Sequence, residues 1–94
     1  MCRAEIIANR SVQEEMVEAL ESDIPGILYT LIPDVQGRGE EDRKRGTVTW
    51  PELNFCLFAY VEDKEAAEMR RVVALIKQRF PNEGIKLFIL CSRD

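Results

Sequence analysis

The chain has 94 residues, 46% hydrophobic and 32% charged, a balance that fits one globular domain and excludes an intrinsically disordered chain. A formal net charge of −4 argues against a general nucleic-acid binder, because phosphate binding needs a positive surface. The absence of histidine removes the commonest general base and metal ligand and every Ser-His or Cys-His nucleophile pair, so a non-enzymatic role is expected.

The longest apolar runs, such as Phe55 to Val61, fall far short of the ~18 residues a membrane span requires. The opening Met1-Cys2-Arg3-Ala4-Glu5 has no apolar stretch of signal-peptide length, so a cytosolic protein without membrane insertion is expected. Three cysteines with no CxxC pair signal neither a disulfide framework nor a zinc knuckle.

In chain order, Cys2 to Ala8 alternates partly and reads as a first strand. Ser11-Val12-Gln13-Glu14 fits a capping box that opens a helix. In that helix Val12, Met16 and Leu20 recur every four residues, with Val17 and Ile24 beside them, until Pro25-Gly26 stops it. Ile27 to Ile32 reads as a second strand. From Pro33 to about Arg45 the chain is polar, with seven charges between Arg38 and Arg45, and a projecting segment is expected over 33–49. Leu53 to Val61 is a third strand, and Asp63 is a candidate cap for a second helix with an Ala66, Met69, Val73, Ile76 stripe. Pro81 to Gly84 is a turn and Ile85 to Cys91 a fourth strand. The order β-α-β-β-α-β predicts a single α+β domain over 1–94 of the ferredoxin-like fold. Its antiparallel sheet has the order 4-1-3-2, with both helices on one face.

Two helices cover only one sheet face, yet the third and fourth strands are apolar on both. Leu53, Phe55, Leu57 and Ala59 oppose Cys56, Phe58 and Tyr60, while Leu87, Ile89 and Cys91 oppose Phe88 and Leu90. A second apolar face exposed to water calls for a partner, and a homo-oligomer with its sheets packed together is expected.

The residues that follow resemble a known family. Glu5-Ile6-Ile7 in the first strand, Asp34-Val35-Gln36-Gly37-Arg38-Gly39 after the second, Trp50-Pro51 before the third and Gly84 with Lys86-Leu87-Phe88 opening the fourth stand in the order found in PII signal-transduction proteins and their PII-like relatives. That resemblance implies a trimer around a central barrel, with ATP or ADP bound in the clefts between subunits and a T-loop after the second strand that docks on a target protein. It places Ile6 against the adenine, Gly37, Arg38, Gly39 and Glu41 at the loop base, and Gly84 and Lys86 near the phosphates. The turn Pro81-Asn82-Glu83-Gly84-Ile85-Lys86 is shorter in glycine than the family's phosphate turn, and Glu41 stands where a glutamine is usual. The shortened pattern is similar to a group whose genes accompany cation-efflux pumps, which implies a membrane transporter as target.

Signalling through the 37–49 loop would rest on the charges Arg38, Arg43, Lys44 and Arg45. Cys2 at the start of the first strand and Cys91 at the end of the fourth are expected to approach each other, because those strands are antiparallel neighbours in this topology, with Cys56 on the adjacent strand. An alternative is therefore a metal-responsive or metal-binding trimer of the CutA type that uses the soft thiolates of Cys2, Cys56 or Cys91.

Overall fold

The structure, a computed structural model, describes residues 1–37 and 53–92. Strand β1 (Cys2–Asn9) leads through a 3-10 turn (Arg10–Val12) into helix α1 (Gln13–Asp23), and strands β2 (Thr30–Gln36) and β3 (Leu53–Val61) follow. Helix α2 (Asp63–Arg79) and strand β4 (Ile85–Cys91) complete the described chain. The strands form one antiparallel sheet in the order β2-β3-β1-β4, the ferredoxin-like arrangement expected above.

Strand β1 is central, paired with β3 from Cys2↔Val61 to Asn9↔Asn54 and with β4 from Cys2↔Cys91 to Ala8↔Ile85. Its burial alternates strictly: Cys2, Ala4, Ile6 and Ala8 are sealed, while Arg3, Glu5, Ile7 and Asn9 are half-buried on the opposite face. The sealed set meets Phe55, Leu57, Ala59 and Val61 of β3 beneath the two helices. From α1 come Met16 and Leu20, joined by Val12 and Ile24, and from α2 come Ala66, Met69, Val72, Val73 and Ile76. The small side chains of Ala4, Ala8 and Ala59 let the helices settle close to the sheet, and Phe55, Met16 and Met69 fill the space between them. Arg71 clasps the two helices at the surface, 2.7 Å from Asp23 and 2.9 Å from Glu68.

Four local expectations change. Asn9, not Ser11, caps the first turn: its Oδ1 accepts from the Ser11 N–H, and the Ser11–Glu14 box does not form because the chain enters α1 through a 3-10 turn. The cap of α2 is Glu62, whose side chain and that of Glu65 reciprocally accept backbone N–H groups, so Asp63 is the first helical residue. Strand β2 begins at Thr30, three residues later than expected. Pro25 and Gly26 (φ 81°) turn the chain, Ile27 tucks into the core and Leu28 stays exposed. Finally, Pro33 to Gln36 belong to β2 and not to the projecting segment. The register slips between Ile32 and Val35, at an edge where Pro33 forfeits no ladder bond and Asp34 adopts φ 57°. The rest of the expected projection, from 38 onward, lies outside the described residues.

Phe55 is fully buried at the centre of the core. Phe55→Ala is expected to cost about 3–5 kcal/mol, a large share of the stability of so small a domain. Urea denaturation followed by circular dichroism checks this, and a loss below about 1 kcal/mol would show that the site collapses without a cavity.

Candidate functional site

The sheet face away from the helices has no cover among the described residues. Ile32, Tyr60, Phe88 and Leu90 are exposed there, Leu90 by 74% and Tyr60 by 59%, and Phe58, Cys56 and Ile7 are half-buried beside them. The pairing Thr30–Phe58–Glu5–Phe88 and Tyr60–Arg3–Leu90 sets two charges in the middle of this apolar surface. The Arg3 guanidinium lies over the Phe58 ring at 4.7 Å and the Tyr60 ring at 5.5 Å, and Nη1 donates to the Tyr60 hydroxyl at 2.6 Å. Glu5 stands 3.7 Å from Arg3 and accepts from the Cys56 thiol at 3.6 Å. Burial pushes the Cys56 thiol above the ordinary range, and the Glu5 carboxylate adds to that, with Arg3 opposing.

The expected ligand residues fall into three groups. Ile6 is fully buried among core side chains and offers no surface within this chain, whereas its neighbour Ile7 lies on the uncovered face. Gly37 at the end of β2 and Gly84 before β4 lie at the same end of the sheet, bridged by the Asn54–Asn9 pair and by the Asn9 N–H donating to the Gly84 carbonyl at 2.9 Å. They sit at opposite edges, about 14 Å apart by three strand spacings, so a ligand touching both must lie along the sheet end. At Gly37 a Cβ would come within 3.3 Å of Asn54 Nδ2, while around Gly84 the space is open. Lys86 is exposed, paired with Ile7 on the uncovered face. Arg38, Gly39, Glu41, Arg43, Lys44 and Arg45 lie outside the described residues.

At the other end of β2, a depression of about 280 Å³ is lined by Leu28, Tyr29, Thr30, Phe58, Ala59 and Tyr60. Its aromatic rings and aliphatic floor suit a flat heteroaromatic ligand. Tyr29 donates to Glu21 at 3.0 Å, and that bond holds its phenol proton, raising its pKa. Sequence reading missed this feature, since Leu28 and Tyr29 look like strand residues and only the late start of β2 turns them to the edge. A second groove of about 330 Å³ runs between the helices, past Ala19, Val72 and Leu75.

The three cysteines do not converge. Cys2 and Cys91, directly paired across β1 and β4, form a disulfide, contrary to the expectation of no disulfide. Cys56 is free and lies on the opposite face of the sheet. The expected topology already set Cys2 near Cys91, and the register of β1 against β4 pairs them directly, leaving Cys56 as the single thiol. Glu62, Asp63 and Glu65 stand in or beside the first turn of α2, where negative charge favours the helix N-terminus.

Neither a protein-family model nor a curated protein matches this sequence. Solved structures do match by fold. A protein of Thermus thermophilus described as PII-like signalling is 22% identical, with a TM-score of 0.62 over 95% of this chain and 83% of that one. CPII of Thiomonas intermedia, a nitrogen regulatory PII-like protein bound to ADP, AMP and bicarbonate, is 14% identical, with a TM-score of 0.69 over 99% of this chain and 93% of that one. The same protein bound to ADP and bicarbonate is 17% identical, with a TM-score of 0.68 over 95% of this chain and 82% of that one. The chain therefore has the fold of the PII-like signalling proteins, which agrees with the resemblance in its sequence. No helix among the described residues is long and apolar enough to cross a membrane.

Under non-reducing conditions a native sample should alkylate at Cys56 alone, with a rate that keeps climbing above the pH where an ordinary thiol levels off. Glu5→Gln removes one cause of the raised pKa and should speed alkylation severalfold at neutral pH. Peptide mass mapping after iodoacetamide reads both outcomes, and an unchanged rate would detach Glu5 from the thiol.

Proposed function

We propose that this protein is a small PII-like regulator without catalytic activity. In this reading it assembles as a homotrimer, binds an adenine nucleotide at its subunit boundaries and signals to a target protein through its 37–49 loop. The observation that carries this reading is the uncovered apolar face of a sheet whose fold is that of PII-like signalling proteins. Three copies with those faces inward would bury Ile32, Phe88 and Leu90 and offset the cost of leaving them in water.

Geometry supports a ligand shared between copies. The aromatic depression begins at Thr30 and the glycine end lies at Gly37, about 20 Å apart along β2, too far for one mononucleotide. When the glycine end of one copy faces the depression of the next, the purine stacks near Tyr29 and Tyr60, and the phosphates approach Gly84 and Lys86. CPII binds ADP, AMP and bicarbonate, so ADP and AMP are the first ligands to try, with and without bicarbonate. Occupancy biases the conformation of the adjoining 37–49 loop, with its Arg38, Arg43, Lys44 and Arg45, and a target such as a membrane transporter reads the result.

Light scattering should give the mass of a trimer, and Phe88→Glu, which places a charge in the middle of the uncovered face, should give a folded monomer. Calorimetric titration should show micromolar ADP or AMP binding near one site per subunit, weakened about tenfold or more in Lys86→Gln. A monomeric wild type overturns the assembly. An intact trimer that binds neither nucleotide overturns the effector.

A further inference from the structure

We propose that the Cys2–Cys91 disulfide is the closed form of a metal site. Once the bond is reduced, both thiolates and the Asp63 carboxylate hold a borderline divalent cation of the zinc class. A ligand atom from each of these three residues lies within 4.8 Å of the others. They come from three elements, the start of β1, the end of β4 and the first residue of α2, so the fold itself brings them together. Cys2 Sγ is 3.2 Å from Asp63 Oδ1. A disulfide sulfur carries no proton, so that approach is a contact and not a hydrogen bond, and the carboxylate is aimed at a sulfur that gives it nothing.

The chemistry changes when the S–S bond opens. A dithiol reductant of the thioredoxin class delivers two electrons and two protons, leaving two protein thiols and closing its own disulfide. Two thiolates beside Asp63 put three negative charges in one place, next to the acidic first turn of α2. A divalent cation removes that repulsion, taking the place of the two thiol protons, which leave to water. Two sulfurs and one oxygen are a zinc-type donor set, with water in the fourth position of a tetrahedron. The carboxylates of Glu62 and Glu65 already accept backbone N–H groups in the helix cap, which leaves Asp63 as the ligand from this turn.

Access and independence both hold. Cys91 and Asp63 are exposed, so reductant and metal can reach the pair, while Cys2 is buried and gives the site a fixed wall. Both sulfurs lie on the helix side of the sheet, away from the face assigned to subunit packing, so the site does not depend on the trimer.

The test uses the whole chain. Protein reduced with a phosphine and desalted without oxygen is equilibrated with zinc against a chromophoric chelator, and cadmium is used in parallel for its thiolate charge-transfer absorption. Reduced wild type and reduced Cys56→Ser should each retain one zinc per chain and show the cadmium band, and oxidised wild type should do neither. Cys91→Ser should lose the metal, and Asp63→Asn should weaken it by at least about tenfold. The proposal is overturned if reduced wild type retains no zinc, if oxidised protein binds equally, if Cys56→Ser abolishes binding, or if Asp63→Asn binds like wild type. Should reduction unfold the chain, zinc must restore the native circular dichroism spectrum. A reduced chain that stays unfolded with zinc overturns it too.

Discussion

Strand β1 is hydrogen-bonded on both sides over nearly its whole length, and every second side chain on it is sealed beneath two helices. Because the side-chain period of a strand is two, a one-residue slip would bring Arg3 and Glu5 into the core and turn Ala4 and Ile6 to the outside. The register of β1 therefore sets the register of β3 and β4, the seats of the helices and the identity of the face left over. With only two helices in the described chain, one face of a four-stranded sheet is all that can be covered. The uncovered face follows from that shortage, and the reading of the protein as an assembly rests on it.

The uncovered face is not simply greasy. Arg3 and Glu5 sit near its centre, on β1, one of the two inner strands. A bare ammonium there would resist burial, but a guanidinium is planar and more weakly hydrated, and this one is stacked on two rings and bonded to the Tyr60 hydroxyl. The face can thus pack against another surface while its charge keeps its partners. At their present exposure Arg3 and Glu5 form a weak pair, and loss of water around them would strengthen it. The Cys56 thiol donates to Glu5 in this cluster, and burial, with the Glu5 carboxylate, pushes its pKa up.

Both ends of the strands carry chemistry, and of different kinds. At one end Gly37 and Gly84 flank the Asn54–Asn9 pair, with the Asn9 N–H donating to the Gly84 carbonyl. At the other end lie the Cys2–Cys91 bond with Asp63 and, at the β2 edge, the aromatic depression. The disulfide joins positions 89 residues apart and so closes nearly the whole described chain into a ring. In the chain-entropy account such a closure restricts the unfolded state by about 4–5 kcal/mol, a large contribution in a domain with a thin core.

The order of elements, the helix-facing residues and the second apolar face were legible in the sequence alone. Strand alternation and helical stripes are written over a few consecutive residues, and apolar residues at both parities of Leu53 to Val61 need no tertiary knowledge to notice. Local chemistry misled where two signals competed. Ser11 and Asp63 are good capping residues that lost to Asn9 and Glu62, and Pro33 looked like a loop residue although an edge strand tolerates it at a bulge. The approach of Cys2 to Cys91 was legible from the expected topology, but tertiary structure alone decided that they close a disulfide, that Asp63 is set against the pair, that Arg3 lies over Phe58 and Tyr60, and that Leu28 and Tyr29 form the wall of a depression. The physical reason is distance along the chain. A periodic pattern is a property of neighbours, but a contact between remote residues depends on how strands align across the sheet, and one residue of slip puts a side chain on the other face.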